Sequence, residues 1–169
     1  MENKMAVISK SYKVKSDRIP TFHDVTENVK EAVKESNVKN GIAVVYSQHT
    51  SCSVIIQEYC HDRNYWGTEL LMQDLINVLE EIIPTCRTEG QYLHPGPEHI
   101  QFARDVVHED ARFGLNTDAH LRSVLLGRSE SIPIIEGKLE LGDFGYIYLV
   151  DFDQTRERER IVRVQIVGE

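Results

Sequence analysis

The sequence has few cysteines and no long apolar run. Its three cysteines, Cys52, Cys60 and Cys86, include no CxxC pair. An odd number without that spacing argues against a disulfide framework and against a zinc ribbon, so we expect reduced thiols inside the cell. No apolar stretch approaches the roughly 18 residues of a transmembrane helix, and the first residues carry no secretory pattern. We therefore expect a cytoplasmic protein with no membrane partner.

The sequence is also short of positive charge. Lysine and arginine number 19 against 27 aspartate and glutamate residues, which gives a net charge of −8. A general nucleic-acid binder needs a basic surface to displace phosphate counterions, so we expect no nucleic-acid partner. A small anionic molecule stays compatible, because a metal ion and one or two arginines can form a local positive site. The run Arg156–Arg160 is interpreted as a solvated turn and strand start, whose arginines could also reach an anion.

The remaining composition suits one globular domain with a real core. Hydrophobic residues make up 41% of the sequence. Its length of 169 residues is normal for a single domain, which we expect to cover 1–169. Apolar patterns predict strands at Met5–Val14, Gly41–Ser47, Ser51–Gln57, Ile132–Ile135, Lys138–Leu141, Phe144–Phe152 and Glu159–Val167. Helical patterns predict helices that begin near Thr26 and that cover Asn64–Ile83 and Thr117–Leu126. Because strands dominate the end of the chain, the predicted fold class is α+β, with a mixed or antiparallel sheet and a few helices.

Local signals predict where these elements begin and end. Thr26 is the expected N-cap of the first helix, and Asn116 or Thr117 that of the third. Pro84 stops the second helix, and Glu136-Gly137 offers a tight hairpin turn. Five apolar residues at helical spacing predict the buried stripe of the second helix: Leu71, Leu75, Val78, Leu79 and Ile82.

Three histidines lie in polar stretches beside regular elements. His49 falls between two strands within His-Thr-Ser-Cys-Ser, and His94 falls in a loop rich in proline and glycine. His120 falls in the first turn of the third helix, where the positive end of the helix dipole favours a neutral ring. Neutral imidazole is the form that binds metal, so all three are candidate ligands. The alternatives are a hydrogen-bonded strand corner, an exposed loop residue and a solvated helix start.

Five further side chains are candidates for binding or proton transfer. The hydroxyls of Ser51 and Ser53 could hold an anion beside His49. Arg122 could contact a phosphate or a partner chain, or be a surface charge. Glu58 at a strand end and Asp118 at a helix start are candidate general acids or bases. Their alternatives are a solvated carboxylate for Glu58 and a helix cap for Asp118.

The motifs that hold these residues resemble the YjbQ-like family, often labelled secondary thiamine-phosphate synthase. The string HTSCSVIIQE over 49–58 is similar to the opening signature of that family. The resemblance continues through Tyr92-Leu93-His94, DAHLRSVLLG over 118–127, and GKLELG over 137–142, and it covers most of the chain. This chain departs from the pattern at Gln57, usually asparagine, in a longer loop between His94 and Asn116, and at Gly142–Gly145, usually similar to Gly-Thr-Trp-Gln.

The resemblance implies a compact single-domain α+β subunit that assembles into a homotrimer. It also implies that His49, His94 and His120 gather around one divalent metal ion. Zinc suits three imidazoles with an open position, and magnesium is the alternative for a reaction that releases pyrophosphate. The family label implies the joining of a pyrimidine diphosphate to a thiazole phosphate, which makes thiamine phosphate.

Two hypotheses from different classes follow. The first is a metal-dependent enzyme, a transferase or a hydrolase, that acts on a small phosphorylated or otherwise anionic metabolite. In it Glu58 or Asp118 would handle the proton. The anion would be held by Ser51, Ser53 and Arg122. The second is a non-catalytic metal-binding trimer with a structural or ligand-binding role, in which a fourth protein ligand would close the metal site.

Overall fold

The structure, a computed structural model, describes residues 5–169. Within this range the chain forms eight strands and four helices. The strands are β1 (Ala6–Ser16), β2 (Thr21–Asp24), β3 (Gly41–Ser47), β4 (Cys52–Glu58), β5 (Ser129–Ile135), β6 (Lys138–Leu139), β7 (Gly145–Asp151) and β8 (Arg158–Gly168). The helices are α1 (Thr26–Ser36), α2 (Leu70–Ile82), α3 (Pro97–Phe102) and α4 (Thr117–Leu126). None of the helices in residues 5–169 is long and apolar enough to cross a membrane.

The strands form two antiparallel sheets, which confirms the predicted α+β class. The larger sheet has the order β1-β8-β3-β5-β6, and the smaller sheet has the order β2-β7-β4. Period-two alternation fixes which face of each strand is buried. In β8, Val162, Val164 and Ile166 are buried, whereas Arg163 between them is exposed. A shift of one residue would turn this apolar set outward, so the pattern specifies the register.

The smaller sheet is covered on both faces. On one face Val54 and Leu149 pack in a cluster with the larger sheet and α1. On the other face Ile55 and Tyr148 pack with Met72 of α2 and with α4. Strand β7 is therefore apolar almost throughout, as expected of a fully buried strand. This layering leaves the end of β3 and the starts of β4 and β8 close to the start of α4.

The capping role predicted for Thr26 is wrong, whereas Asn116 is the N-cap residue of α4, as predicted, although its side chain binds another element. Helix α1 begins at Thr26 itself, after the N-cap residue Val25, whose side chain makes no capping bond. The Asp24 carboxylate accepts the Thr26 N–H at 2.9 Å. The Thr26 hydroxyl instead accepts the backbone N–H of Ile147 at 2.8 Å, which ties the helix to β7. The Asn116 and Thr117 side chains likewise form hydrogen bonds in the site described below. Asn116 is the N-cap residue of α4, but its side chain makes no capping hydrogen bond.

Helix α2 begins at Leu70 rather than at Asn64. The Asn64 carboxamide oxygen accepts the backbone N–H groups of Trp66 and Thr68 at 2.9 and 3.0 Å. Such side-chain bonds offer the backbone an alternative to the helix, which explains the late start. The predicted stripe is also only partly right, since Leu79 is buried whereas Val78 and Ile82 are 55% and 60% exposed.

The hairpin turn predicted at Glu136-Gly137 is confirmed. Ile135 of β5 pairs with Lys138 of β6, so these two residues alone form the loop. Their φ angles are 51° and 78°, the positive values that a type I′ turn requires at both positions. Glycine takes the second of these at no steric cost.

Candidate functional site

A polar cavity of about 410 Å³ lies where β3 ends and β4, β8 and α4 begin. We call it the histidine pocket. The side chains that give it its chemistry are His49, Ser51, His99, His120, Arg158 and Arg160. The ring centroid of His94 lies 6.0 Å from that of His120. The three histidine motifs therefore meet in one region of the structure.

A hydrogen bond to the last strand of the larger sheet fixes the position of the His49 ring. Strand β3 ends at Ser47, opposite Val162, so the next N–H of β8, that of Ile161, has no strand partner on that side. The Nε2 atom of His49 accepts this N–H at 3.0 Å. A neutral ring then carries its proton on Nδ1, because only one nitrogen can be the acceptor. Burial, and next the positive charge of Arg160, lower the pKa of His49, which favours this neutral form.

His94 is held in the same tautomer as His49, with its proton on Nδ1, but its Nε2 is free. The hydroxyl of Thr117 donates its only proton to the His94 backbone carbonyl at 2.7 Å. The same hydroxyl lies 2.8 Å from His94 Nδ1, so Nδ1 must be the donor in that bond. Burial, and next the charges of His99 and His120, lower the pKa of His94. A neutral ring with a free Nε2 lone pair results.

Two buried carboxylates orient the arginines of the pocket. Arg160, 5% exposed, donates from Nε and Nη2 to Asp151 at 2.6 and 3.0 Å. Its Nη2 also donates to the Ser51 hydroxyl at 3.0 Å. Arg158 pairs with Asp153 at 3.1 Å, yet its buried Nε has no hydrogen-bond partner within residues 5–169. An unpaired guanidinium donor beside a polar cavity is suited to an anion.

Sequence reasoning undervalued the two arginines and missed the carboxylates that hold them. Arg158 and Arg160 occupy the same parity of β8 as the buried Val162, so strand alternation directs them inward. That alternation could have identified both arginines from the sequence. It is hard to recognise there because the run 156–160 consists of charged residues only. The contribution of His99 could not be found from sequence, because it depends on how the loop after His94 folds back.

The histidines differ in how readily each could ligate a metal ion. His94 has a free Nε2 lone pair, and His120 lines the pocket beside it. His49 would first have to release the Ile161 N–H. In the part of the chain that the structure describes, no group of three or more histidine, cysteine, aspartate or glutamate side chains is arranged to hold a metal ion. The donors at His94 and His120 thus suit a metal, while the full predicted set does not converge in this arrangement.

Residues 10–169 match the family of UPF0047 proteins described as YjbQ-like. The chain belongs to this family. A UPF0047 protein of Methanocaldococcus jannaschii is 31% identical over 153 residues, which cover 90% of this chain and 91% of that protein. A UPF0047 protein of Methanothermobacter thermautotrophicus is 27% identical over 97% of this chain and 94% of its own length.

Two solved structures share the fold over nearly the whole chain. The crystal structure of a YbjQ-like protein of unknown function from Sulfolobus solfataricus superposes with a TM-score of 0.72 at 27% identity, covering 98% of this chain and 100% of that one. A hypothetical protein from Aeropyrum pernix gives a TM-score of 0.71 at 28% identity, covering 96% and 99%. These names carry no activity, so function must be argued from the site.

Other residues of the UPF0047 motifs lie outside the histidine pocket. Arg122 is fully buried and donates from Nη2 to Glu80 and to the Ile83 carbonyl, both at 2.7 Å. It thus fastens α4 to the end of α2. Asp118, 3% exposed, lines an adjoining cavity, and burial raises its pKa.

Ser53 and Glu58 are also placed away from the pocket. Ser53 is fully buried, with its hydroxyl 3.5 Å from the Ser123 carbonyl. Glu58 is exposed at the far end of β4, roughly 20 Å from Cys52 at about 3.3 Å per residue. Of the five predicted binding and proton-transfer residues, only Ser51 lines the histidine pocket.

Proposed function

We propose that this chain is an enzyme that acts on a small phosphorylated or otherwise anionic metabolite in the histidine pocket. The observation that carries the proposal is the meeting of histidines with Arg158 and Arg160 in one polar cavity. A neutral histidine can accept a proton near pH 7. A guanidinium with a free donor can bind an anion at the same time.

The hydrogen bonds assign roles to three side chains. Ser51 accepts from Arg160, so its own hydroxyl proton is free to donate to a bound anion. The unpaired Nε–H of Arg158 supplies a second donor. His99, which lines the pocket and is not among the proposed metal ligands, is the proposed proton acceptor. These assignments move proton transfer from Glu58 and Asp118 to a histidine, because neither carboxylate lines the pocket.

We further propose that a divalent metal, best matched by zinc, binds at His94 and His120, with His49 as third ligand once it releases Ile161. When bound, the metal would polarise the substrate or lower the pKa of a bound water. Elemental mass spectrometry of zinc-loaded protein should find one ion per chain in the wild type. The His94→Ala variant should lose that ion, and a wild type that takes up no metal would exclude this part of the proposal.

The specific activity proposed is slow thiamine-phosphate formation from the two phosphorylated precursors, with hydrolysis of an anionic metabolite as the other enzymatic outcome. Product is followed by mass spectrometry in metal-replete buffer. We expect His99→Ala, which removes the proposed proton acceptor, to lose activity by about 10²–10⁴-fold. His120→Ala should lose activity together with the proposed metal ion. His61→Ala, which changes an exposed histidine outside the pocket, should retain activity. Equal product from wild type and His120→Ala would favour a non-catalytic binding protein.

A further inference from the structure

A second cavity, of about 730 Å³, adjoins the histidine pocket. Phe113 and Asn116 line both cavities and form the boundary between them. Four arginines from separate segments line the second cavity, which we call the arginine cleft. They are Arg18 between β1 and β2, Arg87 after α2, Arg112 in the 3-10 turn Ala111–Gly114, and Arg156 between β7 and β8.

The lining of the arginine cleft is rich in arginine although the chain is acidic. Asp118 is the one acidic residue among those that line it, against four guanidinium groups, in a chain of net charge −8. No lysine lines either cavity. A set made of arginine alone provides planar forks of N–H donors, which match phosphate oxygens better than ammonium groups do.

Carboxylates that do not line the cleft hold three of the arginines in place. Glu80 lies 3.5 Å from Arg87, Asp110 lies 2.6 Å from Arg112, and Glu109 pairs with Arg156. Each guanidinium has five N–H donors, so one carboxylate leaves donors free for a ligand.

The boundary of the cleft is rigid and polar. The Arg156 guanidinium stacks over the Phe113 ring at 4.2 Å, a cation–π contact that fixes both groups. Asn116 is fixed by donating to the buried Asp153 at 3.2 Å. A ligand that passes this boundary would therefore meet the arginine donors on one side and the histidines on the other.

We propose that the arginine cleft binds a phosphate group of the substrate while the reacting part of the same molecule lies in the histidine pocket. This rests on the proposed function and narrows it to an extended metabolite with its phosphate remote from the reacting centre. The one acidic side chain that lines the cleft, Asp118, is 3% exposed and lies 3.9 Å from the Arg122 guanidinium, which offsets its charge.

The test uses inorganic phosphate as the probe and isothermal titration calorimetry at low ionic strength. The variants are Arg112→Gln and Arg87→Gln in the cleft, Arg104→Gln as a matched control, and His120→Ala in the histidine pocket. Arg104 resembles Arg112, because each is exposed and pairs with a nearby aspartate, but Arg104 lies outside the cleft. We expect each cleft variant to bind phosphate about tenfold more weakly, the loss of one charge-assisted hydrogen bond. Arg104→Gln and His120→Ala should bind as the wild type does.

Three results would overturn the inference: equal binding by Arg112→Gln and Arg104→Gln, no phosphate binding by the wild type at about 10 mM, or loss of binding in His120→Ala alone. The last would place the phosphate in the histidine pocket, which removes the cleft from the substrate site but leaves the proposed function standing. Phosphate bound in the cleft, together with full product formation by His120→Ala, would instead contradict the proposed function.

Discussion

The substitution Arg160→Met tests how the histidine pocket is held together. It removes the guanidinium that donates twice to Asp151, at 2.6 and 3.0 Å, and once to Ser51. Methionine keeps much of the length of the side chain, so little volume is lost. Asp151 is fully buried and would keep only the backbone N–H of Asp153, at 3.1 Å, among these bonds. A buried carboxylate then remains without its cation.

The expected cost follows from that geometry. Removal of one partner of a buried ion pair costs about 3–5 kcal/mol, most of it from the charge left behind. For a chain of this size, ~2–4 °C per kcal/mol converts this into a fall of about 6–20 °C in melting temperature. A second effect concerns His49. Because the charge of Arg160 helps to lower the pKa of His49, that pKa should rise in the variant.

Denaturant unfolding measures the free energy, and proton NMR of the imidazole measures the pKa of His49. Arg163→Met is the matched control, since Arg163 lies on the same strand but is exposed and donates only to Gln48 at 3.2 Å. The control should change stability by less than about 0.5 kcal/mol. Asp151→Asn combined with Arg160→Met should recover part of the loss. A loss under about 1 kcal/mol in Arg160→Met, or an unmoved pKa of His49, would refute the reasoning.

Two further predictions concern pH and assembly. The pKa values of His49 and His94 are lowered below the ordinary 6.5, so the stability they contribute is present above pH 6.5 and is lost as pH falls through the lowered values. Melting temperature should therefore fall from about pH 7 to pH 5.5, less steeply in His94→Gln, and a flat profile would contradict this. We propose that the chain assembles as the homotrimer that the family resemblance implies. Helix α4 offers a face suited to a partner subunit, since it exposes Leu121, Val124 and Leu125 at 43%, 80% and 57%. Val124→Glu should weaken that assembly in sedimentation equilibrium, whereas a monomeric wild type at micromolar concentration would exclude it.

The regular elements could be predicted wherever one local pattern decides the outcome. The strand Gly41–Ser47 and the helix Thr117–Leu126 have the predicted bounds. An apolar run indicated the strand, and the capping residue Asn116 indicated where the helix begins. The cap predicted at Thr26 failed for a physical reason. The side chain of a threonine or asparagine before a helix can form a hydrogen bond with the helix or with a neighbouring element. The Thr26 hydroxyl bonds to β7, to a residue 121 positions away in the sequence. Such competition is decided by tertiary packing, which the local sequence does not contain.

The site was predictable at the level of motifs and not at the level of contacts. The structure brings His49, His94 and His120 to one region, because each motif lies at the end of an element that packs there. Arg122 has the same local surroundings as His120 in sequence, yet helix geometry turns it to the opposite side, into contact with Glu80. Although they are only two residues apart on α4, His120 lines the pocket and Arg122 packs in the interior.

The segment between His94 and Asn116, longer than the resemblance to the family led us to expect, builds much of both cavities. Its short helix α3 brings His99 into the histidine pocket, and its 3-10 turn brings Arg112 to the arginine cleft. Phe113, from the same turn, lines both. Secondary structure gives this segment little independent stability, so its fold depends on contacts such as that between Arg156 and Phe113. Differences in substrate among UPF0047 proteins should therefore follow the length and sequence of this segment, while β3, β4 and α4 keep the histidines in place.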